Sequence, residues 1–101
     1  MKVVYKKSFQ IRLKEHIDFI ASDNLKAAKK LKNQLLRKTQ SIPDNPQIFR
    51  QSIYFDDPEI RDCVFKSCTI VFKIEPSRII VFGFIKHQQF PTDEDDRYKK
   101  P

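Results

Sequence analysis

His87, preceded by Lys86, stands at the end of an apolar run in a chain of 101 residues. Its imidazole is the one credible acid–base group here, because an unperturbed histidine titrates at about pH 6.5. A structural histidine at a strand end is the competing reading. Arg61, between Ile60 and Asp62, has the charge to steady a phosphate or a partner's carboxylate, or else it pairs with Asp62 or Glu59 at the surface. Glu59 beside it offers a base, although an exposed ion pair is the commoner use of such neighbours. Arg50 either meets a partner or anchors its own loop by donating to carbonyls. His16, between Glu15 and Ile17, reads as exposed and idle. Cys63 and Cys68 read as ordinary strand residues of a reduced compartment, since a bridge between them would close only a tiny loop.

Other chemistries are excluded by what is scarce. Gly83 is the single glycine. A phosphate-cradling loop needs several positions where backbone N–H groups come close to the ligand, so neither a P-loop nor a dinucleotide fingerprint fits. Two distant histidines and two cysteines near neither give no metal-ligand spacing, so no metal and no cofactor are expected. Function must then rest on basic, aromatic and backbone surface. The net charge is +7, and residues 1–50 carry all of the excess, with 12 Lys or Arg against four acids. Residues 24–38 hold Lys26, Lys29, Lys30, Lys32, Arg37 and Lys38 and no acid. Such a segment attracts nucleic acid, an acidic protein or an anionic surface, or it serves only as a solvated helix face.

The elements that must position these groups follow from pattern. Hydrophobic residues at 40% and charged residues at 33% suit one folded domain, placed at residues 1–91. The polar stretch 92–101, apolar only at Tyr98, is expected to be a flexible tail. No apolar run approaches the roughly 20 residues that a bilayer span needs, and the N-terminus lacks a signal-peptide pattern, so a cytoplasmic protein with no membrane partner is expected. Residues 2–7 read as a strand. A helix capped by Ser8 follows, with Leu13, Ile17, Ile20 and Ala21 on one face, ending near Ser22. Asp23 or Asn24 caps a second helix with Leu25, Ala28, Leu31, Leu35 and Ile42 on its apolar face, widened by Ala27 and Leu36, and Pro43 ends it. So short a connection implies an antiparallel helical hairpin. Residues 43–58 form a loop with at most a short strand at 52–55. Three strands, Ile60–Phe65, Cys68–Ile74 and Arg78–Lys86, then make an antiparallel meander, the last of them interior and covered by the hairpin. Phe65, Phe72, Phe82 and Phe84 are assigned to packing. The layout is α+β, with the helices packed on one face of an antiparallel sheet.

Residues 16–31 (HIDFIASDNLKAAKKL), the loop IPDNPQIFR, Arg61 and the final IIVFGFIKHQQFP together resemble the ParE branch of the RelE/ParE toxin superfamily, the type II toxin–antitoxin and plasmid stabilisation proteins. The most specific parts are Phe19 to Asn24 with Ala27-Ala28, the loop Asp44-Asn45-Pro46 with Phe49-Arg50, and His87-Gln88-Gln89 with Pro91. The resemblance implies a RelE/ParE-like fold and a toxin neutralised by a cognate ParD-like antitoxin, reaching DNA only through the antitoxin complex. ParE-like members poison DNA gyrase by binding it. The implied partner-binding residues are Arg50, Arg61, Lys26, Lys29, Lys30 and His87.

The alternative carried by the same resemblance is a RelE-like, ribosome-dependent mRNA endoribonuclease, with His87, Arg61 and Lys86 as the catalytic candidates. Cleavage through a 2′-OH needs a base, a charge stabiliser and an acid converging on one face. Cys68 and Thr69 stand where that pattern has Tyr and Arg, and Gln89 stands where a further Arg is expected. The balance tips towards a protein-binding toxin rather than an enzyme, with an inactive family member as a third reading.

Overall fold

The computed structural model describes residues 1–87, so Gln89, Pro91, Tyr98 and the tail at 92–101 lie outside the described residues. Strand β1 (Lys2–Tyr5) leads directly into helix α1 (Lys7–Ala21), and α2 (Leu25–Ser41) runs back beside it. Two single turns of 3-10 helix, Ile42–Asp44 and Pro46–Ile48, carry the chain into β2 (Arg50–Gln51), then β3 (Ile60–Phe65), β4 (Cys68–Ile74) and β5 (Arg78–Lys86).

The five strands form one sheet in the order β1-β5-β4-β3-β2. The meander β3-β4-β5 is antiparallel as its turns require, whereas β1 lies parallel to β5 with Lys2 opposite Arg78 and Tyr5 opposite Val81. The sheet is therefore mixed rather than wholly antiparallel. β1 forms one edge, and the hairpin carries the chain across the sheet to β2 at the other, so that the meander returns to β1 with β5 running in the same direction. The short strand expected at 52–55 lies instead at Arg50–Gln51. There Arg50 faces Asp62 and Gln51 faces Arg61 across the ladder, leaving residues 52–58 as the loop.

The helix boundaries have local causes. Asn24, one of the two candidate caps, accepts from the Ala27 N–H through its side-chain oxygen at 3.0 Å. Ser8 does not cap α1. Lys6 occupies the cap position with its N–H still bonded to the Val81 carbonyl, so the helix starts two residues too early for Ser8. The Ser8 hydroxyl donates to the Phe82 carbonyl at 2.8 Å instead. That carbonyl sits at an irregularity of the ladder, where Val71 pairs with Gly83 and Phe72 with Val81, leaving Phe82 unopposed. At the same place Gly83 is required for space: a Cβ there would stand 2.9 Å from Val71 Cβ.

The core lies between hairpin and sheet. Phe9 and Leu13 of α1, Leu35 of α2 and Ile42 meet Ile70, Phe72, Ile79, Val81 and Phe84, all buried. Ile17, Leu31, Leu36 and Phe65 pack around them, and Phe49 meets Phe72 edge to face. Leu25, expected on the apolar stripe, is exposed in the first turn of α2. Among the described residues no helix is long and apolar enough to cross a membrane.

Candidate functional site

Between α1 and α2 runs a groove of about 570 Å³. Phe9, Leu13 and Ile17 form one wall and Leu36 the other, over a floor made by Tyr5. Polar groups sit at its rims: the Lys14–Asp18 ion pair (2.7 Å), Lys32, Gln10 and Gln40. The floor is fixed by a chain of hydrogen bonds, with Tyr5 Oη and Thr39 Oγ1 2.7 Å apart and Thr39 Oγ1 donating to the Leu36 carbonyl. This bond couples β1 to α2, so the groove keeps its width. Lys29 precedes Lys32 by one turn and Leu36 by two, which places it in line with the groove. Lys26 and Lys30 lie further round, and all three are exposed.

The sheet end holds the other candidates. His87 donates its backbone N–H to the Ser67 carbonyl at 2.7 Å, and its Nε2 lies 2.7 Å from the hydroxyl of Thr69, which is fully buried. Lys86 points to the opposite, helix-covered face, its Nζ 5.0 Å from the centre of the Phe19 ring. Arg61 is opposite Phe72, and Lys86 is opposite Cys68. Four residues along β4 at about 3.3 Å each separate those rungs by about 13 Å. His87, Lys86 and Arg61 are thus not brought to one point. Thr69 is held inside the fold beside His87, and burial raises the pKa of the Cys63 and Cys68 thiols, away from a reactive thiolate.

The two loop arginines exchange the roles expected of them. Arg61 makes no pair with Asp62 or Glu59. It donates from Nε to the Pro58 carbonyl (2.9 Å) and from Nη1 to the Phe49 carbonyl (3.0 Å), clamping both ends of the 49–58 segment. Arg50 is the one that reaches Asp62, at 3.3 Å, while the same carboxylate oxygen accepts from the Ile53 N–H at 3.1 Å. Asp62 alternates with Arg61 and Cys63, so this bond draws residues 52–54 over the sheet face away from the helices. Phe55 continues that cover with its ring 5.5 Å from Phe82.

His16 departs most from expectation, since it is half-buried and not idle at the surface. Its ring lies 5.6 Å from that of Phe84 and both ring nitrogens are out of water without a hydrogen-bond partner. Burial, and then the Lys86 charge, lower its pKa below the usual imidazole value. The groove and this histidine were the parts that sequence pattern missed. Arg12, Glu15, His16 and Phe19 do recur at helical spacing, but beside a stronger apolar stripe they read as a solvated flank. Among the described residues no group of three His, Cys, Asp or Glu side chains is placed to hold a metal ion.

A two-helix hairpin over one face of a five-stranded mixed sheet is also the fold of a chain in the chromosomal ParDE TA system from P. aeruginosa, with a TM-score of 0.73 at 10% identity, covering 87% of this chain and 97% of that one. At that identity the likeness speaks to fold alone. No curated protein sequence matches the chain. Residues 3–90 match the family model described as ParE toxin of type II toxin-antitoxin system, parDE. The chain belongs to that ParE toxin family.

Proposed function

We propose that the chain is held by a cognate, ParD-like antitoxin lying along the α1–α2 groove and the open part of the sheet, and that once released it acts in the cytoplasm by binding DNA gyrase. An antitoxin segment with apolar residues at helical or strand spacing would cover the half-buried Ile17 and Leu36, beside the already buried Phe9 and Leu13. Acidic residues at its edges would meet Lys14, Lys29 and Lys32, with Lys26 and Lys30 adding longer-range attraction. Arg50, Arg61 and His87 border the loop and the sheet end, where a partner crossing the sheet would pass.

The observation that carries binding over RNA cleavage is the separation of Arg61 from His87 and Lys86, together with a buried Thr69 in place of a cation. An in-line attack by a 2′-OH needs its base, acid and stabiliser within hydrogen-bond reach of one phosphate. The test is controlled expression in bacteria, following plasmid supercoiling and new protein synthesis together as growth slows. Relaxed or cleaved DNA with continuing translation supports gyrase as the target. An early stop in protein synthesis with intact supercoiling refutes it in favour of the ribosome, and no growth effect refutes toxicity.

A further inference from the structure

On the flank of α1 away from the groove lies a second cavity, of about 230 Å³. Arg12, Glu15, His16 and Phe19 line it from one stripe of the helix, and Phe84 and Lys86 close it from β5. Three features of this cavity call for a ligand. First, a neutral imidazole carries one N–H and one lone pair, and here both nitrogens are shut away from water with neither satisfied. A buried polar group left unmet in this way is destabilising until a partner satisfies it. Second, the ion pairs among the described residues are Lys14–Asp18, Arg50–Asp62 and Arg78–Glu75, so the charges of Arg12, Glu15 and Lys86 are committed to none of them. Third, Phe19 leaves 68% of its surface exposed at the rim, with the Lys86 ammonium over its ring.

We propose that this cavity is a nucleotide-binding site, in which the phosphate accepts from the His16 N–H between Arg12 and Lys86, Glu15 accepts from sugar hydroxyls, and the base stacks on the face of Phe19 that the Lys86 ammonium leaves open. Arg12 and Phe19 are seven residues apart on the helix, about 10.5 Å at 1.5 Å per residue, which suits a ligand with its charge at one end and its ring at the other. An aromatic platform beside paired cations is the usual recognition of a single-stranded nucleotide unit. A carboxylate from an acidic peptide would satisfy the cations but leave Phe19 in water and offer Glu15 no hydroxyl to accept from. The volume takes a phosphate and sugar with the base resting outside. This site does not depend on the gyrase reading, and it is separate from the groove.

The experiment uses the intact chain and adenosine 5′-monophosphate, with adenosine, inorganic phosphate and a short single-stranded oligoribonucleotide as companion probes. Binding is followed by calorimetry and by the His16 ring signals in NMR. Adenosine 5′-monophosphate is expected to bind and to raise the pKa of His16, reversing the push that burial and Lys86 exert, with Arg12 and Glu15 the other charges facing the ring. Adenosine and inorganic phosphate should each bind at least tenfold more weakly. R12Q should weaken the nucleotide about tenfold or more through a lost charge-assisted bond. F19L should weaken it about fivefold or more through lost stacking. Both side chains are exposed, so both variants should fold, which thermal unfolding verifies. Tighter binding of the oligoribonucleotide than of the mononucleotide assigns the site to single-stranded nucleic acid, and equal binding assigns it to a free nucleotide. The proposal is overturned if the His16 signals stay still at millimolar nucleotide, if adenosine binds as well as its monophosphate, or if R12Q and F19L bind like the unmodified chain.

Discussion

Gly83→Ala places a methyl group where the sheet has no room for one. The new Cβ would lie 2.9 Å from Cβ and 3.2 Å from Cγ2 of Val71, itself buried on the neighbouring strand. Neither is the loose end of a flexible side chain, and no rotamer of Val71 moves its Cβ, so the backbone must spread. Overpacking of this kind costs about 1–3 kcal/mol. Alanine recovers roughly 0.5–1 kcal/mol of that, because it gives up less chain entropy than glycine on folding. Because only backbone movement relieves a Cβ–Cβ contact, the upper part of the overpacking range, about 2–3 kcal/mol, applies. A net loss of about 1–2.5 kcal/mol lowers the melting temperature of a domain this size by about 4–20 °C. The cause is separable by a second change. Val71→Ala alone removes two buried methyl groups at about 0.8 kcal/mol each, plus whatever cavity remains. In the double variant Cβ of residue 71 still stands 2.9 Å from the new methyl and only the Cγ contacts are lifted, so the two losses should come close to adding, with a favourable coupling of at most about 1 kcal/mol. Thermal and urea unfolding of the four proteins measures this directly. A Gly83→Ala protein as stable as the parent would show that the close approach at the β4–β5 irregularity is not what fixes glycine there, and full relief by Val71→Ala would assign the clash to Cγ2 rather than Cβ.

Arg61→Met should leave the fold intact while freeing the loop it clamps, seen as faster amide exchange across residues 49–58; unchanged exchange would remove the clamp. Thr69→Val deletes the hydroxyl beside His87 Nε2 in a nearly isosteric way and should cost about 0.5–1.5 kcal/mol, with the His87 ring signals moving; a silent ring would mean the bond is not populated. His16 titrates below its ordinary value in the folded chain, so the unfolded state takes up the proton first as acid is added. Stability should therefore be free of this term above pH 6.5 and fall as pH drops from there towards the folded-state pKa. In His16→Gln that part of the slope should vanish in pH-dependent urea unfolding, and persistence of the slope would assign it elsewhere. Tyr5→Phe cuts the tie between β1 and Thr39 and should lower stability by about 1 kcal/mol in thermal unfolding, with no loss expected if the hydroxyls instead face water.

The parts of the fold set by short-range pattern were legible. β3, β4 and β5 alternate between turns whose residues punctuate them, and the Asn24 cap is a local bond within one turn of its helix. What escaped depended on contacts made across the chain. Ser8 has the chemistry of a cap, but the Lys6 N–H is already committed to Val81, which only the β1–β5 pairing reveals. The position of β2 is decided by Asp62 receiving Arg50 and Ile53, not by the propensities of residues 52–55. His16 looks solvated on a helical wheel until Phe84 and Lys86 arrive beside it from β5. Arg50 and Arg61 are indistinguishable by type and neighbourhood, and only the register of β2 on β3 says which one meets the carboxylate.

The parallel pairing of β1 with β5 has a bearing on how the chain comes into being. Lys2 waits for Arg78, and Tyr5 for Val81. A ribosome that has made the hairpin has made two helices whose apolar faces have nothing to rest on, because β5, the floor beneath α1, is still to come. Contacts so distant in sequence carry a large closure entropy and slow the search for the native arrangement. A stable globule therefore waits on β5, and messages broken anywhere upstream of it should yield fragments that are degraded rather than smaller active versions. For a cell that carries such a gene, the translation of β5 acts as the point at which the product first becomes a protein with a surface that anything can recognise.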